Sequence, residues 1–424
     1  MAAMRVRLTQ IIDFWVGVPL CFIFSMWHAL TSVFRARSSP LPRKILFIEL
    51  SEMGSAIIGY SALARARQVF PQGELFFLTF HKNAESVELL GIIPGQNILT
   101  IPDDSFLAFA LGTLRALWRI RRRGIDTTID MELFSRASTL ISYLTGAANR
   151  VGFDNFSAEG LYRGRLLTRR AFYNPHQHMS LNFLSLVFSL VDPEALPGPK
   201  RDLRSAHLSL PRYLVPKEER DQMLARLQAV NAEIRAQSTL IILNPDPGEA
   251  LPLRGWPRER FAQTAAELLS RYPQAFVVVI GLPRSKEFAR LIVETGAPGR
   301  SVDFTGLTAS LREVMALLSL GSLLITNDSG PAHLAALTEI PAITLFGPET
   351  PALYGPLGEN AIMLYSYYAC SPCLSAHNHR YTLCHDNKCM QAISVERVVS
   401  ESEKILGQPA ALRAGKAGSK ARAG

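Results

Sequence analysis

Charge is scarce in this chain. Asp, Glu, Lys and Arg make up 19% of its 424 residues, while 48% are hydrophobic. That balance is apolar for a soluble enzyme. Acids are scarcer than bases, 36 against 45, which leaves a net charge of +9. The surplus is not organised for nucleic acid: no basic stripe interleaved with aromatics and no nucleic-acid motif occurs. An anionic membrane surface or an anionic glycolipid accounts for it better. Cysteine is also sparse, with five residues. There is no Lys-bearing phosphate loop, and no internal repeat beyond alternating strand and helix patterns. The length exceeds one small core and suits two α/β domains with additions.

Part of the apolar excess is local. Phe14 to Phe34 contains no Asp, Glu, Lys or Arg, and its length suits a helix crossing a bilayer core. Trp15 and Trp27 suit the interfaces, whereas Pro19 and His28 count against a span. Arg5 and Arg7 precede the segment; Arg35, Arg37, Arg43 and Lys44 follow it. The heavier positive flank belongs inside, which puts the body in the cytoplasm. No small-x-small cleavage site precedes Arg35, which argues against a removed signal. A helix packed on the protein, or an in-plane hairpin, is the alternative. Elsewhere, Arg119 to Arg123 closes a helical pattern before Gly124, where cations offset the helix dipole. The stretch from Gly407 onward is rich in Gly, Ala, Lys and Arg and reads as disordered.

Ser38 to Pro42 reads as a linker. Apolar runs at Lys44–Leu50, Leu75–Phe80, Ile98–Ile101, Thr127–Met131 and Arg150–Phe153 predict strands, with helices between them, notably Phe106–Arg123 and Ala137–Leu144. A further helix covers Met179–Leu190. Pro193 to Pro216 is Pro-rich and irregular. A second series follows: a helix over Glu218–Gln237, strands at Leu240–Leu243, Phe276–Ile280 and Val302–Phe304, a helix opening at Trp256-Pro257, and another over Leu311–Leu320. Strands alternating with helices predict parallel, doubly wound sheets.

The most informative stretch is Ile325 to Gly358. An apolar run stops at Thr326-Asn327-Asp328-Ser329-Gly330-Pro331, a helix starts around Ala332, and a second run, Ala342 to Phe346, ends in Gly347-Pro348-Glu349-Thr350. Both turns fall at the carboxyl ends of predicted parallel strands, where open α/β sheets place ligands. Short polar side chains and a glycine let backbone N–H groups approach an anion, and a following helix adds its positive end. This is a phosphate site of a different kind from the P-loop.

The stretch resembles the donor-binding signature of glycosyltransferase family 9, the ADP-heptose:lipopolysaccharide heptosyltransferases. Asp328, Ser329, Gly330, His333, Ala335, Ala336, Pro341, Gly347 and Pro348 match its pattern. The resemblance implies a GT-B fold: two Rossmann-like doubly wound domains facing a cleft, here with an N-terminal hydrophobic helix. The implied domains are a membrane anchor and linker over 1–43, an acceptor domain over 44–205, a donor domain over 206–406 and a basic tail over 407–424. Donor contacts are expected from Asn244, Arg254, Asp328, Ser329, Gly330, His333, Gly347 and Pro348, with Arg254 standing where the family carries a cation before Trp-Pro. Gly248 lies on the same loop as Asn244.

The first loop departs from the family. Where the family has Gly-Asp, with the Asp as base, this chain has Gly54-Ser55. A neutral Ser is no carboxylate base, so Glu52 is the expected substitute, with Glu49 second and Ser55 at a helix start. Asp130 and Glu132, after the fourth strand, are expected near the same place. The implied reaction is inverting transfer from an ADP-heptose-like nucleotide diphosphate sugar to a lipid-linked envelope saccharide, in a bacterial inner-membrane enzyme facing the cytoplasm, with no cofactor required. A GT-B nucleotide-sugar epimerase and a non-catalytic envelope-assembly protein are the competing readings.

Cys370, Cys373, Cys384 and Cys389 form one cluster, with His377, His379 and His385 among them. The Cys370-x-x-Cys373 spacing is that of structural zinc, but the second pair is wider. Zinc, free thiols and disulfides all remain open, the last disfavoured in a reducing compartment. Cys21 reads as a buried apolar residue of the N-terminal segment. Tyr365, Tyr367 and Tyr368 just before the cluster are candidates to border the acceptor.

Overall fold

A computed structural model of the chain describes residues 11–32, 41–154, 161–191, 208–248, 251–295, 299–376 and 380–408. The basic flanks of the N-terminal segment up to Arg37, most of the linker, much of the Pro-rich stretch, His377, His379 and nearly all of the C-terminal tail lie outside those residues. The chain divides into two units. One is Met1–Pro211 with Ser375–Tyr381; the other is Arg212–Leu374 with Thr382–Gly424. The stretch read as one donor domain therefore lends a short segment to the first unit.

The first unit opens with helix α1 (Gly17–Ser32), preceded by a helical turn from Ile11. Its sheet is built from β1 (Lys44–Ile48), β2 (Glu74–Phe80), β3 (Ile98–Ile101), β4 (Thr127–Asp130), β5 (Asn149–Phe153) and β6 (Arg169–Ala171). The order is β3-β2-β1-β4-β5-β6, with every pair parallel. After β1 come α2 (Met53–Ile58) and α3 (Tyr60–Val69); α4 (Ala84–Glu88) follows β2. Helix α5 (Phe106–Arg123) crosses from β3 to β4, α6 (Arg136–Leu144) joins β4 to β5, and α7 (Met179–Val191) follows β6.

The strands are apolar on both faces because helices cover both. Leu46, Ile48, Phe76, Leu78, Leu99 and Ile101 meet Ala116, Leu117 and Ile120 of α5 and Ile141 of α6 in one buried cluster. Each such side chain contributes about 1.5–3 kcal/mol by leaving water. Helix α5 has the bounds its pattern predicts. Ser105 Oγ accepts from Ala108 N–H at its start, and Gly124 at φ 67° ends it.

The second unit repeats the plan. Its strands are β7 (Thr239–Asn244), β8 (Ala275–Val279), β9 (Ser301–Asp303), β10 (Leu323–Asn327), β11 (Ala342–Phe346) and β12 (Ala361–Tyr365), ordered β12-β11-β10-β7-β8-β9 and all parallel. Its helices are α8 (Lys217–Val230), α9 (Arg258–Arg271), α10 (Lys286–Thr295), α11 (Leu311–Leu320), α12 (Gly330–Ala335), α13 (Pro351–Tyr354), α14 (Lys388–Gln391) and α15 (Val395–Leu406). The strand order is the same in both sheets although the sequence carries no repeat. Helix α8 stops short of the predicted Gln237. Asn231 ends it, its Oδ1 accepting Glu233 N–H at 2.9 Å, a turn that competes with helix.

Candidate functional site

In each sheet the strand order reverses once, between β1 and β4 and between β7 and β10. Loops at the carboxyl ends of those strands are where this topology places ligands.

In the first unit these loops carry acids. Glu49 follows β1, Asp130 ends β4, and Glu132 lies two residues beyond; all three are buried. Asp130 is a structural post. Its Oδ2 accepts from Arg163 at 2.9 Å, Ser138 Oγ at 3.0 Å and Thr139 Oγ1 at 2.7 Å, and its Oδ1 from Glu132 N–H at 3.2 Å. Arg163 also donates to the Glu132 carbonyl. Glu132 clamps the loop after β1: its Oε1 accepts from Leu50 N–H at 2.8 Å, Ser51 N–H at 2.9 Å and Ser51 Oγ at 2.8 Å.

Burial raises the carboxyl groups of Asp130 and Glu132 above the usual range, against the pull of Arg163 at one and Ser51 at the other. Glu49 is pushed well above that range, first by burial and then by the nearby charges of Glu132 and Glu52. A carboxyl group that holds its proton more tightly passes less readily to the carboxylate form a base needs. As second candidate base, Glu49 is thus poorly suited by its surroundings.

Glu52 differs. It is partly exposed and stands at the N-cap of α2. Ser55 Oγ donates to its Oε2 at 3.3 Å, and the Arg380 guanidinium pairs with its Oε1. Arg380 belongs to the short segment that joins this unit from late in the chain, and it stacks 4.7 Å over the Phe134 ring. The Gly54-Ser55 departure thus has a carboxylate directly beside the serine. Arg163 and Arg380 are the residues sequence reasoning missed here. Arg163 stands in the Arg-rich stretch Arg163 to Arg170, and Arg380 is more than three hundred positions from its partner.

In the second unit an arginine of these loops is held between two acids. Arg254 sits at 3.1 Å from Asp328 Oδ2 and 3.4 Å from Glu349 Oε2, with both carboxylates buried. It also donates to the Asp328 carbonyl at 3.2 Å. Arg254 is positioned by its neighbours. Asn387 Nδ2 donates to the carbonyls of Leu253 and Gly255 at 3.1 and 2.7 Å. Trp256 N–H donates to Asn327 Oδ1 at 2.9 Å, and Trp256 Nε1–H to the Ile393 carbonyl at 2.9 Å. The Trp-Pro that follows the cation is therefore its mount. Glu349 was missed although it directly follows the matched Gly347-Pro348. Its burial against Arg254 could not be read from a turn sequence.

Asn244, at the end of β7, donates to Thr326 Oγ1 at 3.0 Å and Ser329 Oγ at 3.1 Å, so the β7 and β10 loops are tied together. Asp246 extends the tie to the next loop by accepting from Ser285 Oγ at 2.6 Å and from Arg284 at 3.2 Å. The helix after Ser329 begins at Gly330, two residues earlier than expected, and has only 6 residues. Its dipole is correspondingly small. Any attraction for an anion must come mainly from Arg254 and from loop N–H groups. His333 lies on the first turn of this helix and is buried.

Gly347 is needed for packing. A Cβ there would lie 2.4 Å from Met390 Sδ and 3.0 Å from Cys389 Sγ. Pro348 accepts, through its carbonyl, the N–H groups of Cys373 and Leu374, each at 2.9 Å. Cys389 is thus a buried packing residue, its thiol pushed up to about 11 by burial. Burial also raises Cys373. Cys370 is exposed, and among the described residues no disulfide joins the four. Among the described residues, no three His, Cys, Asp or Glu side chains gather as a metal site.

Comparison with known proteins agrees with this topology. The family model described as glycosyltransferase family 9 (heptosyltransferase) matches residues 114–382. Lipopolysaccharide heptosyltransferase 1 of Campylobacter coli is 21% identical over 309 residues, 72% of this chain and 84% of that protein. The lipopolysaccharide core heptosyltransferase OpsX of Haemophilus influenzae is 22% identical over 329 residues, 76% of this chain and 85% of that protein. Among solved structures, the E. coli ADP-heptose lipopolysaccharide heptosyltransferase II superposes with a TM-score of 0.66 at 19% identity, covering 86% of this chain and 99% of that one.

Proposed function

The chain belongs to glycosyltransferase family 9, the heptosyltransferase family, and from that premise we propose that it moves a heptose or related sugar from a nucleotide diphosphate sugar to a lipid-linked envelope saccharide. ADP-heptose is the proposed donor, as the name of the E. coli structural neighbour suggests. The carrying observation is Arg254, fixed by Trp256 and Asn387 and held against Asp328 in the matched stretch. One guanidinium shared by two carboxylates is preplaced but partly neutralised. A diphosphate would share it with Asp328 and Glu349, supported by loop N–H groups.

The proposed base is Glu52. Arg380 occupies Oε1 and orients the carboxylate, while Oε2 faces the Ser55 hydroxyl. An acceptor hydroxyl arriving at Oε2 would find an acceptor for its proton. Its oxygen would attack the anomeric carbon as the bond to the diphosphate breaks. One such displacement inverts that centre. No cofactor is proposed, and the body of the protein is placed on the cytoplasmic side of the inner membrane.

The test is incubation of the purified chain with ADP-heptose and a lipid-linked core saccharide. Release of ADP together with an acceptor heavier by one heptose is the expected result, with the new linkage opposite in configuration to the donor. Altered donor without acceptor would point instead to an epimerase. Donor binding with no product under any condition would favour a non-catalytic assembly role.

A further inference from the structure

Helix α5 is apolar on two opposite sides. One side, with Ala116, Leu117 and Ile120, is buried in the core of the first unit. Leu107, Leu111, Leu114 and Trp118 recur at helical spacing on the other and are exposed, Leu114 by 63% and Trp118 by 58%. A helix apolar all round is normally buried all round. This one also has exposed Arg115, Arg119 and Arg122 and no acidic residue. Arg122 stacks on Trp118 at 4.7 Å.

Helix α1 has the same character. Ile11–Thr31 is long and apolar enough to cross a membrane, by length and composition. Its contacts run along the first unit. At its start Asp13 pairs with Arg136 at 2.8 Å and accepts the N–H of Arg136 at 2.8 Å, capping α6. At mid-helix Cys21 is fully buried, and Ser25 Oγ accepts Arg165 N–H at 2.8 Å. A Cβ on Gly164 would lie 2.0 Å from Ser25 Oγ, so the approach is close. Farther on, Phe24 and His28 meet the Tyr143 ring. From Asp13 to His28 is about 22 Å of helix, most of the ~30 Å of a hydrocarbon core. A spanning helix would have to give up these contacts. The opposite side presents Trp15, Phe22, Ile23, Met26, Trp27 and Leu30, all exposed.

The two helices share a layer. Right-handed crossovers put α5 and α6 on one face of the sheet; α6 packs against α5 and against α1. We propose that this layer is a docking face for an anionic lipid bilayer, with α1 and α5 lying in the plane of the interface. Apolar stripes sink among the acyl chains while the arginines of α5 meet lipid phosphates. The inference stands apart from the transfer reading, because vesicle binding can fail while donor binding holds.

Full-length protein is floated with vesicles of phosphatidylcholine, alone or mixed equally with phosphatidylglycerol. Joint L114E and W118E should lower the floated fraction about tenfold or more, with an unchanged melting temperature because both side chains are exposed. Arg115→Gln, Arg119→Gln and Arg122→Gln should each cost roughly fivefold on the mixed vesicles and little on phosphatidylcholine. Brominated acyl chains should quench tryptophan fluorescence, and Trp118→Phe should reduce that quenching, the remainder coming from Trp15 and Trp27 of the N-terminal helical segment. Flotation indifferent to the α5 substitutions would overturn the proposal, leaving α1 as the sole contact. So would quenching unchanged by Trp118→Phe, or a chain that stays off anionic vesicles altogether.

Discussion

At the strand reversal of the first sheet, Glu49, Asp130 and Glu132 crowd a buried loop, where buried Arg163 pairs with Asp130. At the equivalent reversal of the second sheet, one arginine holds two buried carboxylates beside a loop of small polar residues. The strand order is identical. Topology alone therefore says where chemistry happens and nothing about which chemistry. In the proposed reading the first reversal would offer carboxylates to a proton or a hydroxyl, and the second a fixed cation and donors to an anion. In the first, two of the three buried acids are committed to holding loops, while Glu52 is partly exposed and paired with Arg380, which is why it is the proposed base.

The contrast breaks most visibly at Glu52. Glu52→Gln should lower turnover by roughly 10²–10⁴, the usual worth of a general base. Ser55→Asp should restore part of that loss, since the two side chains already touch. Steady-state rates for the single and double variants decide it; full activity in Glu52→Gln would move the base elsewhere.

Arg254→Met sharpens the other side. It strands two buried carboxylates and should destabilise the second unit by about 3–5 kcal/mol, visible in denaturant unfolding, while ADP affinity collapses. An unchanged unfolding midpoint would mean that the carboxylates find other partners. Asp328→Ala should weaken donor binding less, by about 1–3 kcal/mol, read by calorimetry.

A smaller effect concerns pH. The ordinary glutamate value is 4.5, and Glu49 lies well above it in the fold. Below the ordinary value both folded and unfolded chains carry the proton. As pH rises, the unfolded chain releases it first, and stability falls until the folded group titrates too. Glu49→Gln should therefore raise the melting temperature near neutral pH and change it little in mild acid. A melting temperature lowered equally at both pH values would contradict the burial account.

Much of the fold was legible because buried parallel strands are uninterrupted apolar runs. β3, α5, α11 and β11 fall where their patterns predict. Two strands were not legible. β6 is a short basic edge, Arg169–Ala171, without a core signature, and β12, Ala361–Tyr365, is a short apolar run without polar alternation to mark it as a strand. The polar loop after β10 was legible through its matched residues, and the placement of Arg254 through the Trp-Pro beside it. Glu349, Arg163 and Arg380 were not, because their roles depend on partners brought together only by folding.

The most direct test of the division between the two reversals is calorimetric titration of ADP into the unaltered protein, Glu52→Gln and Asp328→Ala under one set of conditions, paired with their turnover. The account predicts that Glu52→Gln binds ADP within about twofold of the unaltered protein while losing its rate, an interaction made only in the transition state, and that Asp328→Ala loses ADP affinity. Equal loss of ADP affinity in both variants, or a Glu52→Gln protein with full rate, would contradict it.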